Sequence, residues 1–404
     1  MTDAPASTAC PHALGQKFLI GLLTFLNAFV PISTDLYLPA LPHMSRIFNA
    51  NADLVNLTLS LFMLVFAFSM LIWGPMSDKY GRKPILYTGF GIYILASVLC
   101  ANAPTIEWLI IGRCVQALGC GALSSVSMAI VKDTFRGRLM ENVLALIQTM
   151  TVLSPMLAPM LGAFLLNYLS WRGTFWVLTA CGAIAFALGL GLRETVVQRT
   201  QGSPFRSLGR IGFVLKNRGY RWLLLLFSCL IMPFMAFLAS SSYIYINFFH
   251  RTTQEYSFFF LINAVFSMLG PIMYMRFLRN LPRVRFLCVI FTLVFCFGVL
   301  LFFFGEKGPF FFAFLYAPVT FCCACVRPLG TVLMMSQHST DNGTVASLIV
   351  CSALLCGSIS MMLSSVAWNT FIIRLSIITM VIGAFSLAAW AFMNRAKLYK
   401  MPDH

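Results

Sequence analysis

The sequence predicts an all-α membrane protein with twelve transmembrane helices in two groups of six. Three observations carry this. First, 59% of the 404 residues are hydrophobic and 10% are charged, with a mean hydropathy of +0.85; a soluble domain carries about 25% charged residues. Second, twelve stretches reach the roughly 20 apolar residues that a helix needs to cross a bilayer. They lack the alternating strands of about 10 residues that build a membrane barrel. Third, the longest polar interval, 193–221, falls between the sixth and seventh stretches. The chain thus divides into an N-terminal bundle (1–192), a linker (193–221) and a C-terminal bundle (222–404).

The spans follow in order. The first, approximately 18–41, carries Asn27, Asp35 and Tyr37 and ends in ISTDLYLPALP. It is too long for a cleaved signal, and MTDAPASTACPHALGQK before it shows no cleavage pattern, so it is expected to remain in the mature chain. The second (54–74) runs into the loop GPMSDKYGRKP, followed by the third (84–103). The fourth (105–131) holds Arg113, Gln116, Gly119 and Cys120 at helical spacing, on one face. The fifth (143–167) contains SPMLAPMLGA, in which Pro155 and Pro159 bend the helix and small residues allow close packing. The sixth is 174–192. The linker RETVVQRTQGSPFRSLGRIGFVLKNRGYR has the Gly, Pro and Arg content of a cytoplasmic segment, with room for an amphipathic helix on the membrane surface. The seventh span (222–248) ends in SSSYIYINFF, where Tyr243 and Asn247 share a face and offer polar groups to a cavity for amphipathic molecules. The eighth (257–278) carries Asn263, the ninth is 285–304, and the tenth (309–333) carries Arg327 with the cysteines 322, 323 and 325. The last two are 343–367 and 371–393.

The net charge of +16 is distributed by topology. With the N-terminus inside, 21 of the 28 Lys and Arg residues fall on inner loops and 5 on outer ones: Arg46, Arg172, Arg251, Lys307 and Arg374. The other two, Arg113 and Arg327, lie within spans. This is the positive-inside pattern. It puts both termini in the cytoplasm and assigns the basic excess to orientation and anionic lipid, with no nucleic-acid partner.

Eleven of the twelve acids fall in loops or at the termini; only Asp35 is left inside a span. A carboxylate there costs at least about 2.5–3.5 kcal/mol unless it is paired, protonated or facing water. Asp35 lies roughly 9 Å below the outer surface and Arg113 roughly 12 Å, so the two are expected to face each other; Arg327, about 27 Å down, belongs to the inner half. A neighbouring Arg favours the charged carboxyl and burial the neutral one, a balance that suits proton uptake and release. The alternative is a fixed ion pair locking two helices. For Asn27, Tyr37, Gln116, Tyr243, Asn247 and Asn263 the choice is between cavity lining and plain interhelical hydrogen bonding. For Arg327 it is between the cavity and snorkelling to inner headgroups. Twelve of the thirteen cysteines lie inside spans, which is packing chemistry and not a disulfide or metal framework. The five histidines are scattered, so no catalytic or metal-binding constellation is expected.

The loop GPMSDKYGRKP, with Gly74, Asp78, Gly81, Arg82 and Lys83, resembles the signature loop of the major facilitator superfamily, and GRCVQALGCG resembles that family's span-four pattern. SPMLAPMLGA is similar to the antiporter motif of drug exporters, through Pro155, Ala158, Pro159 and Gly162. STDLYLPALP, VKDTF and SWRGTF resemble the bicyclomycin-resistance (Bcr/CflA-type) subgroup of drug:proton antiporters. The resemblance implies two pseudo-symmetric bundles with spans one, four, seven and ten lining a central cavity. It implies Asp35 as the protonatable acid and Arg113 as its partner, with the 74–83 loop gating the conformational change. Some related antiporters carry a second acid where this sequence has Asn27. The expected function is proton-coupled efflux of small amphipathic molecules across a bacterial inner membrane by a monomer, with the proton as coupling ion and no other cofactor. The alternatives are an exporter of one metabolite such as a siderophore, a proton symporter importing an anionic nutrient, and a non-transporting receptor.

Overall fold

The computed structural model describes residues 15–196, 212–278, 280–337, 342–366, 369–396 and 398–399. The centre of the predicted linker, 197–211, lies outside the described residues, and with it most of the expected amphipathic segment. Twelve helices cross the long axis: α1 (Gln16–Ile47), α2 (Ala52–Tyr80), α3 (Arg82–Ala101), α4 (Ile106–Thr134), α5 (Gly137–Leu166), α6 (Trp171–Gly189), α7 (Arg218–Phe248), α8 (Thr253–Leu278), α9 (Arg283–Lys307), α10 (Pro309–Met335), α11 (Asn342–Ser365) and α12 (Phe371–Arg395). Eleven are individually long and apolar enough to span a membrane. The twelfth, α5, qualifies when its segments Gly137–Pro155 and Leu157–Leu166, bent by 42°, are taken together. Proline is the cause of such a bend, because its ring displaces the preceding turn and its nitrogen has no proton to donate.

Several spans depart from regular α-helix where the sequence predicted it, among them α8, which closes in a π-helical turn, Tyr274–Leu278. In α1 the first segment stops at Asp35, a 3₁₀ turn covers Leu38–Ala40, and a short helix runs from Leu41 to Ile47. Pro39 has no N–H to give the carbonyl of Asp35, so the α-helical ladder cannot continue there. In α7 the final turn, Tyr243–Phe248, is a π-helix.

Packing pairs recur at a shift of six helices: α1 with α5 and α7 with α11, α2 with α4 and α8 with α10, α3 with α6 and α9 with α12. The halves meet through α2 against α11 and α5 against α8. Large apolar side chains face outward along the helices, among them Leu95, Phe303 and Phe314. In water such a surface would drive aggregation; in a bilayer it is the lipid contact. The end of the bundle where the 193–221 segment joins α6 to α7 is called the linker face below, and the opposite end the far face.

Candidate functional site

Asp35 ends the first segment of α1 and is 2% exposed; its Oδ1 is buried without a hydrogen-bond partner. The turn after it touches α5 on its own half and both α7 and α8 on the other. Gly162 of α5 lies so close to the Leu36 carbonyl that even a methyl group would collide with it. Just under one turn closer to the linker face, the Pro159 carbonyl accepts a hydrogen bond from Ser257 Oγ of α8, 3.3 Å away. The small residues of SPMLAPMLGA, with Ala158 also buried, therefore bring α1, α5 and α8 together around the carboxyl. Tyr256 of α8 is near enough to interact with Asp35 electrostatically.

Arg113 is fully buried. Its Nη1 donates to the Ser33 carbonyl at 3.1 Å and to Gln116 Oε1, and its Nε to the Thr58 carbonyl at 3.4 Å. The guanidinium also stacks against Phe62 (4.2 Å) and Tyr37 (4.7 Å). Gln116 passes the network to Ser97 Oγ of α3, at 2.7 Å. Tyr37 shares a hydrogen bond with Thr58 Oγ1, and Asn27 donates to Ser127 Oγ of α4 at 2.8 Å. The fixed Asp35–Arg113 ion pair, the alternative reading, is not formed: among the described residues no ion pair within 4.0 Å joins them, while Arg113 is near enough to act on the carboxyl electrostatically. The guanidinium is instead given to the Ser33 carbonyl, two residues before Asp35, where it closes the helix end.

In the second half Asn263 of α8 accepts from Thr320 Oγ1 of α10 at 2.8 Å. Tyr243 and Asn247 sit apart from this pair. They line a cleft of about 420 Å³ at the far face, with Phe371 and Arg374. Tyr243 stacks on Phe371 (5.0 Å), and its hydroxyl is buried without a partner. Arg374, counted from sequence among the outer surface charges, is 4% exposed. Its Nη1 donates to the carbonyls of Ser364, Ser365 and Val366 at 2.7–2.9 Å, closing the end of α11 as Arg113 closes that of α1. Arg327 of α10 is exposed, 5.8 Å from the Phe234 ring, with no ion pair among the described residues. Cys325 donates to the Gly270 carbonyl, and no group of three or more metal-ligating side chains occurs among the described residues.

At the linker face, the 74–83 loop is a charge network. Arg82 pairs with Asp78 and reaches Asp133 of α4 at 2.9 Å. The N–H groups of Arg82 and Lys83, at the open start of α3, donate to the Glu194 carboxylate at 2.9 and 3.3 Å. Glu194 is thus the anion at a helix N-terminus. Gly81 turns the chain at φ +106°, and a Cβ there would strike that carboxylate. Gly74 packs beside Ser125 of α4. Sequence reading named the loop but missed Asp133 and Glu194; an acid placed where a helix of the same half ends was the available signal.

Among the described residues, four hydrogen bonds join the halves: Asn56 to Ser365, Ser358 to the Ser60 carbonyl, Gln254 to Asn167, and Ser257 to Pro159. All involve the far-face portions of α2, α5, α8 and α11 or the connection after α5.

The family model of the Major Facilitator Superfamily matches residues 23–359. The uncharacterized MFS-type transporter YdgK of Bacillus subtilis is 32% identical over 270 residues, 65% of this chain and 66% of that protein. The multidrug resistance protein MdtL of Shigella flexneri is 34% identical over 181 residues, 45% and 46% of the two chains. These alignments span less than two thirds of either relative's length. A bacterial homolog of the human lysosomal transporter Spinster, in an inward-facing and occupied conformation, matches with a TM-score of 0.73 at 13% identity, over 98% of this chain and 100% of that one. A D-xylose–proton symporter matches at 0.70 and 14%, over 93% and 97%. At these identities the likeness is one of fold.

Proposed function

Because the chain belongs to the Major Facilitator Superfamily, a family of transporters and not of enzymes, we propose that it is a proton-coupled exporter of small amphipathic molecules of the bicyclomycin-resistance type. It works in a bacterial inner membrane with its linker face in the cytoplasm. The orientation rests on the 21:5 excess of basic residues on that side. The multidrug name of one relative supports the cargo class.

The carrying observation is Asp35. It is the one acid within the apolar length of a span, buried where the halves meet, and its Oδ1 has no partner. An unpaired buried carboxylate is strongly unfavourable, and a proton on it removes the charge. With the halves closed at the far face, the arrangement suits a protonated Asp35 and an approach for cargo from the linker face. Cargo binding and loss of the proton then favour separation of the far-face contacts, because a ligand drives such a change only through different affinities for the two states. Arg113 is a positioning residue: it holds the end of α1 and so the direction in which Asp35 points.

The test is Asp35→Asn, reconstituted in proteoliposomes with an imposed pH gradient. The variant should bind cargo yet show no gradient-driven transport. Gradient-driven transport at the wild-type rate would remove Asp35 from the mechanism.

A further inference from the structure

Arg327 lies well inside an apolar stretch, as Arg113 does, and unlike Arg113 it is exposed. Its direction follows from the helix. α10 carries a lipid-facing stripe in which Phe314 is 76% exposed and Val332 52%. Arg327 is thirteen residues after the first and five before the second, so at 100° per residue it points about 140° away from both. Residues sharing its face reach inward: Tyr316 donates to the Pro233 carbonyl of α7 and Thr320 to Asn263 of α8. On this face Tyr316 and Thr320 are buried toward the far face and Met334 toward the linker face, and Arg327 and Thr331 between them are exposed. The guanidinium thus reaches solvent on the side of α10 that carries its contacts to α7 and α8.

Among the described residues this cation has no ion-pair partner: the acid within the apolar length of a span, Asp35, lies toward the far face, and no ion pair reaches Arg327. Its nearest ring is Phe234 of α7, 5.8 Å from the guanidinium carbon. A planar guanidinium beside an aromatic ring, open to water on one side, is built to take an oxyanion in two parallel hydrogen bonds and an apolar body next to it. It also repels a cationic molecule that a neutral cavity would accept.

We propose that the cargo carries an oxyanion, a carboxylate or phosphate-like group held by Arg327, with its apolar part against Phe234. This inference rests on the transport reading above for the word cargo, but its test is a binding measurement and needs no transport. The same oxyanion chemistry is offered by the headgroup of an anionic lipid, so the test has a lipid arm.

Full-length protein is placed in nanodiscs of phosphatidylcholine. Naphthoate, naphthylmethanol and naphthylmethylammonium, which share one ring system and differ in charge, are titrated by calorimetry. Naphthoate should bind about ten- to hundred-fold more tightly than the neutral probe, the worth of one charge-assisted hydrogen-bonded pair, and the cation most weakly. Arg327→Gln should erase the preference for naphthoate, and Arg327→Lys, which keeps the charge and loses the fork, should retain part of it. Equal binding of the three probes by the wild type, or an unchanged preference in Arg327→Gln, overturns the proposal. If Arg327→Gln does not fold, full naphthoate affinity in Arg327→Lys overturns the bidentate contact. In nanodiscs containing phosphatidylglycerol the naphthoate affinity should hold; its loss there assigns Arg327 to a lipid headgroup and overturns the cargo assignment. Failure of gradient-driven transport with this binding order intact would sink the coupling scheme alone.

Discussion

Replacing Arg113 separates two explanations for a buried arginine near a buried acid. In Arg113→Lys the positive charge stays but the fork is lost. The guanidinium now serves the Ser33 carbonyl, Gln116 and the Thr58 carbonyl, and stacks on Phe62 and Tyr37. Hydrogen bonds to a charged group are worth about 1.5–3 kcal/mol, and a desolvated cation–ring contact about 2 kcal/mol. A single ammonium nitrogen keeps about half of that total and leaves the desolvation penalty in place. The expected loss is about 3–6 kcal/mol. Arg113→Met loses all the hydrogen bonds but also the buried cation, and its thioether packs between the two rings, so its loss should be about the same size. The assay is denaturant unfolding of the purified protein in detergent, followed by tryptophan fluorescence. Lysine should be no more stable than methionine at this position. A lysine variant within about 0.5 kcal/mol of wild type, with methionine well below it, would show that charge opposite Asp35, and not the fork, holds the site; the argument from geometry would then fail.

Three more outcomes follow from the packing. Gly162→Ala forces α5 away from the Leu36 carbonyl and should destabilise by about 1–3 kcal/mol, read as a lower thermal midpoint, whereas Ala158→Gly should lose less than about 1 kcal/mol. Gly81→Ala combines a left-handed backbone with a clash against Glu194 and should lower the midpoint more than Glu194→Gln, which removes about 0.3–1 kcal/mol of interaction with the start of α3. Arg374→Lys frees carbonyls at the end of α11, next to the Ser365 that holds Asn56. A cysteine introduced at Gln254 should then react faster with a maleimide, and an unchanged rate would disconnect Arg374 from far-face closure.

The twelve spans were legible because lipid demands long apolar helices with satisfied backbones, and the boundaries moved by a few residues as helix ends extended past the apolar core. The breaks were less legible. Pro39 and Pro42 announced trouble in α1, but that the helix would end at Asp35 depended on Arg113 arriving from α4 to take the Ser33 carbonyl. The depth argument set Asp35 and Arg113 face to face but could not say how the guanidinium would be used, because depth carries no azimuth. Tyr243 and Asn247 do share a face, as their spacing says, but that face opens on a far-face cleft and not on the Arg327 side. Glu194 and Arg374 act through backbone groups of distant helices, and a partner that is a carbonyl or an N–H leaves no mark in a sequence.

Among the described residues the hydrogen bonds across the seam join uncharged groups: serine hydroxyls, asparagine and glutamine amides, and backbone carbonyls. Each such bond is worth about 1 kcal/mol, so the latch is shallow enough to be undone by the binding of one small molecule. Dissolved ions screen charges and leave dipoles of this kind nearly untouched. The far-face latch itself should therefore hold equally well in concentrated and in dilute salt.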